Sequence, residues 1–339
     1  MGEEGAPVVL AHELQTKDKV RAMAGSKPRS RTTSSMKSSP LKKIAYLSSL
    51  FAHYRTRAKE NFGIVNLRLC VEEYRAFLTK YTERDLEKCT AVEVGFGARP
   101  FRAAALAASG ANICGIDLEA PLVSVSVGKL LRIAQANGME RTVKSVVRKV
   151  CFEQGEIDAF NREFALCYLD AIAKVRLTVG NCADPHFWRD VPPTVDFVYS
   201  EDVLEHVSVS EIEITCKNIR ESIRPEALLL FRPNMYSGIT GGHVPEWYHS
   251  AVARGHKKTD PWNHLITGSH EPSVFLNKLS YTDYYGLFAR YFTIEEVVKT
   301  DFGLGRQFLS AEIRSRIASK WTDEDLLTNN VLFVMKNRH

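Results

Sequence analysis

Acidic and glycine residues recur at close spacing in one stretch of the chain, residues 90–119 (TAVEVGFGARPFRAAALAASGANICGIDLE). Glu93 is followed by Gly95 and Gly97, and Asp117 lies 20 residues beyond Gly97. Glycine lets a backbone approach a ligand closely. An acid about 20 residues past the glycines accepts hydrogen bonds from ribose hydroxyls. The stretch therefore predicts a nucleotide-type site.

Glu93 decides which ribose-containing ligand is expected. It stands just before the glycines, and the third glycine of a G-x-G-x-x-G loop is missing, with Pro100 at that end of the turn. A carboxylate at short range repels a pyrophosphate and attracts an ammonium group. S-adenosyl-L-methionine carries an ammonium and a sulfonium and no phosphate. We expect this cofactor, and a dinucleotide-dependent dehydrogenase is the alternative.

The elements around these residues follow a strand, turn, helix, strand order. Residues 91–94 predict a buried strand, 101–109 a helix of small residues, and 113–117 a second strand. Later apolar runs predict further strands at 175–179, 194–199, 227–231, 291–299 and 330–336.

Four motifs carry a resemblance to class I S-adenosylmethionine-dependent methyltransferases. They are EVGFGA from Glu93, the acid Asp117, GNCAD from Gly180, and SEDVLEHV from Ser200. With RPNMYSGITGGH, PWNHL and FLNKLSYTDYY further on, the resemblance covers roughly residues 60–336. It implies an α/β, Rossmann-like fold whose sheet has seven strands, the last of them antiparallel.

The resemblance also implies cofactor contacts. Glu93 would hold the ammonium or nearby backbone, Gly95 and Gly97 would admit the amino-acid portion, and Asp117 would bind the ribose. Asn181 stands where the family has an acid and would read adenine, although it could equally just form the turn, with Asp184 in reserve. The remaining predicted cofactor residues are Leu118, Cys182 and Ser200.

A long segment, residues 232–285, holds five of the ten histidines and two tryptophans. Long loop-rich insertions at the carboxyl edge of a sheet are usually functional. We predict that the acceptor is bound by Arg232, Tyr236, His243, Trp247, Tyr248, Trp262 and His264. The candidate catalytic bases are His206, His243 and His264.

These roles have structural alternatives. Trp247 and Trp262 could simply fix the insertion to the body, and His206 could be a packing residue within the helix after the fourth strand. The histidine spacings fit no helical i, i+4 pair and no Cys or Asp cluster accompanies them, so no metal site is expected.

The chain is predicted to have three parts. Residues 1–43 form a basic tail, 44–85 carry two helices (44–61 and 66–81), and 86–339 form the methyltransferase domain. That domain contains a helical insertion at 121–174 and the substrate-site insertion at 232–285. We expect helices at about 122–136, 139–152 and 156–173 in the first insertion. The helices before the domain would cover the cofactor, build a homodimer contact or pack on the sheet.

Charge and composition exclude several classes of partner. Residues 1–43 hold nine Lys/Arg and four Asp/Glu, which accounts for the whole net charge of +5. The neutral body lacks the basic face that nucleic acid requires, and no apolar run reaches the ~20 residues of a membrane span. Seven scattered cysteines indicate a reducing compartment. The expected location is cytoplasmic, or organellar if the tail, despite its four acids, is a targeting segment.

The predicted activity is methylation of a small molecule. Methyl transfer from a sulfonium needs alignment and exclusion of water, and a base only where the nucleophile carries a proton. One resemblance is to the S-methyltransferases of dimethylsulfoniopropionate synthesis, which act on 4-methylthio-2-hydroxybutyrate. The alternatives are an O- or N-methyltransferase of a secondary metabolite or sugar, and a non-catalytic S-adenosylmethionine-binding scaffold.

Overall fold

The computed structural model describes residues 63–123, 127–151, 153–252, 257–268 and 275–338. All of them belong to the unit Tyr54–His339. The predicted tail at 1–43 and helix at 44–61 lie outside the described residues.

A seven-stranded sheet runs through the described chain. Its strand order is β3-β2-β1-β4-β5-β7-β6. Strands β1 to β5 are parallel to one another, whereas β7 is antiparallel to both β5 and β6. The bounds are β1 Thr90–Val94, β2 Asn112–Asp117, β3 Arg176–Val179, β4 Phe197–Glu201, β5 Leu228–Arg232, β6 Phe292–Thr300 and β7 Asn330–Asn337. The predicted class I methyltransferase fold is confirmed.

Helices cover both faces of the sheet, which explains why the central strands are apolar on both sides. Side chains of alternate β1 residues enter two separate apolar clusters, with Ala91 in one and Val92 in the other. The first cluster packs under α1 (Ile64–Thr82) and α2 (Phe101–Ala108). The second packs under α8 (Val209–Ser222) and α11 (Tyr281–Ala289).

The region between β2 and β3 is helical, as expected, but it contains one break more than the sequence pattern predicts. Its helices are α3 Val127–Asn137, α4 Met139–Cys151, α5 Glu153–Phe164 and α6 Tyr168–Ala173. The chain turns between α5 and α6 because Ala165 adopts φ 50°. The Asn161 side chain then accepts a hydrogen bond from the Tyr168 backbone N–H at 2.7 Å.

The segment after β5 forms a small apolar core of its own. Tyr236, Trp247 and Trp262 are buried there together with Ile317 and Trp321 from the chain before β7. The remaining helices are short: α7 Pro185–Arg189, α9 His249–Val252, α10 Asn263–Thr267, α12 Ala311–Arg316 and α13 Asp323–Leu327. This part of the chain therefore presents loops, held by buried aromatic side chains, near the carboxyl edge of the sheet.

None of the helices described is long and apolar enough to cross a bilayer. Six cysteines whose surroundings are described carry free thiols.

Helix α1 allows a matched test of the packing. Leu78 has no exposed surface, whereas Leu69 on the same helix is 62% exposed. We expect Leu78→Ala to lower the free energy of unfolding by about 2–5 kcal/mol because it leaves a cavity. Leu69→Ala should change it by less than about 0.5 kcal/mol. Urea unfolding of both variants checks this, and equal effects would contradict the packing of α1 on the sheet.

Candidate functional site

The strand order creates a crevice at the carboxyl end of β1. The chain leaves β1 through α2 towards β2, and it leaves β4 through α8 towards β5 on the opposite side. Ligands of open α/β sheets bind where the strand order reverses in this way. The loop after β1, the end of β2 and the end of β4 meet at this crevice.

The glycine loop is tied to the end of β2. The Gly95 N–H donates to the Ile116 carbonyl at 2.8 Å, and the Gly97 N–H donates to Asp117 Oδ2 at 2.7 Å. Both glycines have positive φ, 87° and 66°. A Cβ at Gly95 would overlap the Val203 side chain, whereas a Cβ at Gly97 would meet no heavy atom within 4 Å. Packing thus requires glycine at 95, while Gly97 borders open space.

Asp117 is anchored on two sides. Besides accepting from Gly97, it accepts from the Glu119 N–H through Oδ1 at 2.7 Å. These two bonds fix the direction of the Asp117 carboxylate at the end of β2. Leu118, the next residue, is largely exposed. Both lie at the carboxyl end of β2, beside the crevice.

Glu93 lies deeper than its predicted role suggests. Its side chain is 1% exposed, and its carboxylate accepts from the Tyr199 hydroxyl at 3.1 Å and lies 3.5 Å from Arg102 Nη1. Burial raises the pKa of Glu93 to about 7, and Arg102 and Tyr199 oppose that rise. Protein groups surround this carboxylate on the α1 and α2 side of the sheet.

Glu93 belongs to a charged network that also includes Glu201, Arg102, Arg232 and Tyr74. Glu201, at the end of β4, accepts a hydrogen bond from Tyr74 and lies 3.8 Å from Arg102 Nη2 and 3.7 Å from Arg232 Nε. Arg232 also pairs with a glutamate of α1, Glu73. The structure therefore places Arg232, a predicted acceptor-binding residue, in this network.

The predicted adenine-reading residues also have protein partners. Asn181 Nδ2 donates to Glu211 at 2.8 Å, and Asn181 Oδ1 accepts from the Ala183 N–H at 2.9 Å. Cys182 Sγ accepts from Thr215 at 3.4 Å. The reserve candidate, Asp184, caps α7 through the His186 N–H. These contacts fix the turn after β3.

Ser200 links two strands. Its hydroxyl is buried and donates to the Val94 carbonyl at 2.8 Å. The contact holds β4 to β1 below the crevice, so Ser200 supports the site from within the sheet.

A second concavity, which we call the polar cleft, lies beyond β4 and β5 and has a volume of about 440 Å³. Polar and charged side chains dominate its lining. The residues are Asp202, Glu205, His206, Asn234, Thr240, His243, Tyr248, His249, Asp301, Asn329 and Asn330.

The floor of the polar cleft is a single 3₁₀ turn, Leu204–His206. The sequence pattern places His206 within a helix, but Ser208 caps α8 and the helix begins only at Val209. His206 is therefore left exposed before the helix, with its ring 5.1 Å from that of His243. Glu205 is buried, and burial together with the Asp202 charge raises its pKa to about 8.

Four predicted acceptor residues lie in the small apolar core instead. His264 is buried, with Nε2 2.8 Å from the Tyr236 carbonyl. The indole N–H groups of Trp262 and Trp247 donate to the Ser237 carbonyl and to Thr259. These four residues hold the insertion together.

The structure brings together three of the predicted residues, His206, His243 and Tyr248. Sequence reasoning did not select Glu205 or Asn234, which line the same cleft. The signal for Glu205 was present, since it directly precedes His206 in SEDVLEHV. Asn234 lies in RPN, two residues beyond β5.

Comparisons with known proteins give distant similarities. No protein-family model matches the chain, and no curated protein matches its sequence. The PH0226 protein of Pyrococcus horikoshii OT3 is 15% identical with a TM-score of 0.41, over 80% of this chain and 91% of that one. Geranyl diphosphate C-methyltransferase from Streptomyces coelicolor A3(2) is 14% identical with a TM-score of 0.41, over 79% of both chains.

A third similar structure is phosphoethanolamine N-methyltransferase 2 of Haemonchus contortus. It is 11% identical with a TM-score of 0.41, over 78% of this chain and 52% of that one. At these identities and scores, the topology and the site geometry described above remain the basis for proposing a function.

The raised pKa of Glu93 makes stability depend on pH. The folded protein keeps this proton up to a pH of about 7, whereas the unfolded chain releases it near 4.5. The folded state therefore loses stability as pH rises through that window. In Glu93→Gln this loss is absent. We therefore compare the free energies of unfolding of the variant and of the unsubstituted protein. The difference, variant minus unsubstituted, should rise by about 2 kcal/mol between about pH 5 and 8.

Urea unfolding across that pH range measures the difference, and Glu87→Gln is the control. The pKa of Glu87 is held below its usual value by its own backbone N–H and by Arg75, so it stays ionised in both states above about pH 5. A pH-independent difference for Glu93→Gln, or the same rise in the control, would contradict the burial of the Glu93 charge.

Proposed function

We propose that the chain is an S-adenosyl-L-methionine-dependent methyltransferase that acts on a small molecule. One observation carries the proposal. Asp117 Oδ2 accepts from the Gly97 N–H at 2.7 Å at the point where the strand order reverses. A carboxylate and a glycine with open space before it are thus held together beside a polar cleft. This pairing suits an adenosyl compound without phosphates and a separate methyl acceptor.

The donor would lie along the crevice. Gly97 would admit its amino-acid portion, and Asp117, with Leu118 beside it, would bind the ribose. Glu93 would act through Arg102 and the loop rather than by touching the ammonium, because it is 1% exposed. Asn181 and Cys182 would shape the adenine end through the backbone of the turn that they fix.

The acceptor would occupy the polar cleft, whose volume of about 440 Å³ lies in the usual range for small-molecule pockets. His206, His243 and Tyr248 would contact it. Transfer is an in-line displacement at the sulfonium methyl, so the cleft mainly has to align the nucleophile and exclude water. A small molecule rather than nucleic acid fits the zero net charge of the chain after residue 43.

For the acceptor itself we propose a thioether, 4-methylthio-2-hydroxybutyrate, as in dimethylsulfoniopropionate synthesis. A thioether needs no base, and the two imidazoles could hold its carboxylate or hydroxyl. The alternative is a hydroxyl or amine acceptor. The contact of 3.0 Å between His206 Nδ1 and the Phe275 carbonyl favours it, because this contact leaves Nε2 able to take a proton. We also propose that the protein resides in a reducing compartment and forms a homodimer.

Donor binding can be tested with two glycine variants. Gly97→Ala places a methyl group in the open space where the donor would approach, so we expect affinity for S-adenosylmethionine and S-adenosylhomocysteine to fall at least about tenfold. Gly63→Ala is the control, since Gly63 also has positive φ, 75°, with no heavy atom near its Cβ position. Both variants should lose about 1 kcal/mol of stability from backbone strain.

Calorimetry with both adenosyl compounds gives the affinities, and urea unfolding gives the stabilities. If the unsubstituted chain binds neither compound, the proposed function is wrong. If Gly63→Ala weakens binding as much as Gly97→Ala, the donor does not lie at this loop.

The acceptor class is tested with a labelled methyl donor and a panel of methylthio acids, catechols and amines. We expect a labelled sulfonium from 4-methylthio-2-hydroxybutyrate. Label on oxygen or nitrogen alone would replace the thioether with the alternative acceptor. Donor binding without transfer to any acceptor in the panel would favour the non-catalytic scaffold.

A further inference from the structure

Three side chains of the types that bind metals meet in the polar cleft. Glu205, His206 and His243 each offer one ligand atom, and these atoms all lie within 4.8 Å of one another. We propose that they bind a divalent transition-metal cation, such as Zn²⁺ or Co²⁺, which holds an oxygen atom of the acceptor. The inference deepens the proposed function and rests on it for the role of the metal, although not for the binding of the metal.

Glu205 supplies the first observation. Its side chain is 3% exposed, and its Oε1 accepts from Asn234 Nδ2 at 2.7 Å. Its other oxygen, Oε2, is buried without a hydrogen-bond partner among the residues that the structure describes. A buried carboxylate oxygen without a donor costs free energy. A cation shared with the two imidazoles would remove that cost.

The orientation of the His206 ring supplies the second observation. Its Nδ1 lies 3.0 Å from the Phe275 carbonyl oxygen, and a carbonyl oxygen can only accept. Nδ1 therefore carries the proton, and Nε2 has the lone pair that a metal requires. Carbonyl groups commonly orient metal-binding histidines in this way. Asn234 performs the equivalent task for Glu205, so both ligands have a partner that fixes their direction.

His243 is positioned by its backbone. It has φ 54°, a left-handed conformation that costs a non-glycine residue free energy. Its N–H donates to the Thr240 carbonyl at 3.0 Å, and its own carbonyl accepts from the Tyr248 hydroxyl at 3.2 Å. The preceding Gly242 has no room for a Cβ, which would lie 2.7 Å from the His264 ring. This buried packing holds a strained backbone that points His243 at His206.

The ligand set selects the class of metal. Two imidazoles and one carboxylate suit Zn²⁺, Co²⁺ or Fe²⁺, whereas Mg²⁺ and Ca²⁺ prefer oxygen ligands alone. Ligand bonds of about 2.0–2.2 Å place the three atoms roughly 3–3.5 Å apart. Binding therefore requires them to draw together by about 1 Å, which side-chain rotation on an exposed His206 permits.

Three protein ligands leave coordination positions for the acceptor. A hydroxyl or carboxylate oxygen bound there would be held beside the donor crevice, and a bound hydroxyl would become more acidic. The metal thus defines the acceptor as a molecule with an oxygen ligand near its nucleophile, such as a hydroxy acid. A hydroxyl nucleophile would release its proton to water in the open cleft on binding, and the methyl group would then form the new C–O bond as its C–S bond to the donor breaks, which leaves S-adenosylhomocysteine.

The test uses the full chain, stripped with a chelator and dialysed. Zn²⁺ is titrated by calorimetry, and Co²⁺ is followed through its visible absorption, which reports imidazole ligands. We expect one ion per chain. Glu205→Gln and His243→Ala should each weaken binding at least about 100-fold. His249→Ala is the matched control because His249 lines the same cleft but pairs with Asp301 at 2.9 Å. This variant should bind the metal ion with unchanged affinity.

The inference is overturned if neither Zn²⁺ nor Co²⁺ binds to the chain. It is also overturned if His243→Ala leaves the affinity for the metal unchanged, or if His249→Ala lowers that affinity as much as His243→Ala does. Because Glu205 is buried, its substitution could unfold the protein, so thermal unfolding establishes whether Glu205→Gln is folded. If it is not folded, His206→Ala takes its place, because His206 is exposed. Calorimetry with S-adenosylhomocysteine on the same samples separates the two proposals. Donor binding without metal binding removes only the metal site, and metal binding without donor binding removes only the methyltransferase.

Discussion

Two buried carboxylates on neighbouring strands constrain the rest of this structure. Glu93 on β1 and Glu201 on β4 are both nearly inaccessible to water, and burying a charge is costly unless it is paired. Arg102 of α2 lies within 3.8 Å of both carboxylates, and Tyr74 of α1 donates to Glu201. The positions of both helices over the carboxyl edge of the sheet are therefore set by charge compensation as well as by apolar packing. The loop between β1 and α2 therefore connects two positions that the charged contacts hold in place, the end of β1 and the start of α2.

This arrangement changes the electrostatic account of the donor site. From the sequence alone, Glu93 is expected to attract a positively charged donor at short range. In the structure its charge is shared with Arg102, and burial holds its pKa near 7. Asp117 is less buried, and its carboxylate accepts from the backbone N–H groups of Gly97 and Glu119. In the proposed donor site, the carboxylate best placed to meet an adenosyl ligand is thus the one at the end of β2, whereas Glu93 pairs with Arg102 of α2 and Tyr199 of β4.

The sequence predicts the fold well because the signals for it are local. The predicted strands at 91–94 and 113–117 agree with β1 and β2 to within one or two residues, since a short apolar run bounded by glycine has few other solutions. The break between α5 and α6 escapes prediction because it depends on Ala165 adopting a left-handed conformation. Such a conformation is stabilised by a specific contact across the turn, here between the Asn161 side chain and the Tyr168 N–H, which no apolar spacing reveals.

The proposed acceptor site is less predictable for a related reason. Residue type indicates what a histidine or tryptophan can do, but packing decides which way it faces. His243 and His264 look equivalent in the sequence, yet one lines the polar cleft and the other bonds to the Tyr236 carbonyl within the core. The histidine spacings that predict no metal site all lie within one segment, residues 232–285. Glu205 and His243 are 38 residues apart in the chain, so only the folded structure brings them together.

The acids of the polar cleft bear on the chemistry of methyl transfer. A sulfonium donor loses its positive charge as the methyl group moves, so a nearby carboxylate stabilises the ground state more than the transition state and slows the reaction. Glu205 would have this effect if it were ionised and unpaired. Burial and the Asp202 charge raise its pKa to about 8, which favours the uncharged form, and a bound cation would compensate the charge of the ionised form. Whether Glu205 is uncharged or paired with a cation, it no longer stabilises the ground state of the sulfonium donor. The burial that makes Glu205 costly to ionise therefore makes an acid compatible with a cationic donor in the proposed site.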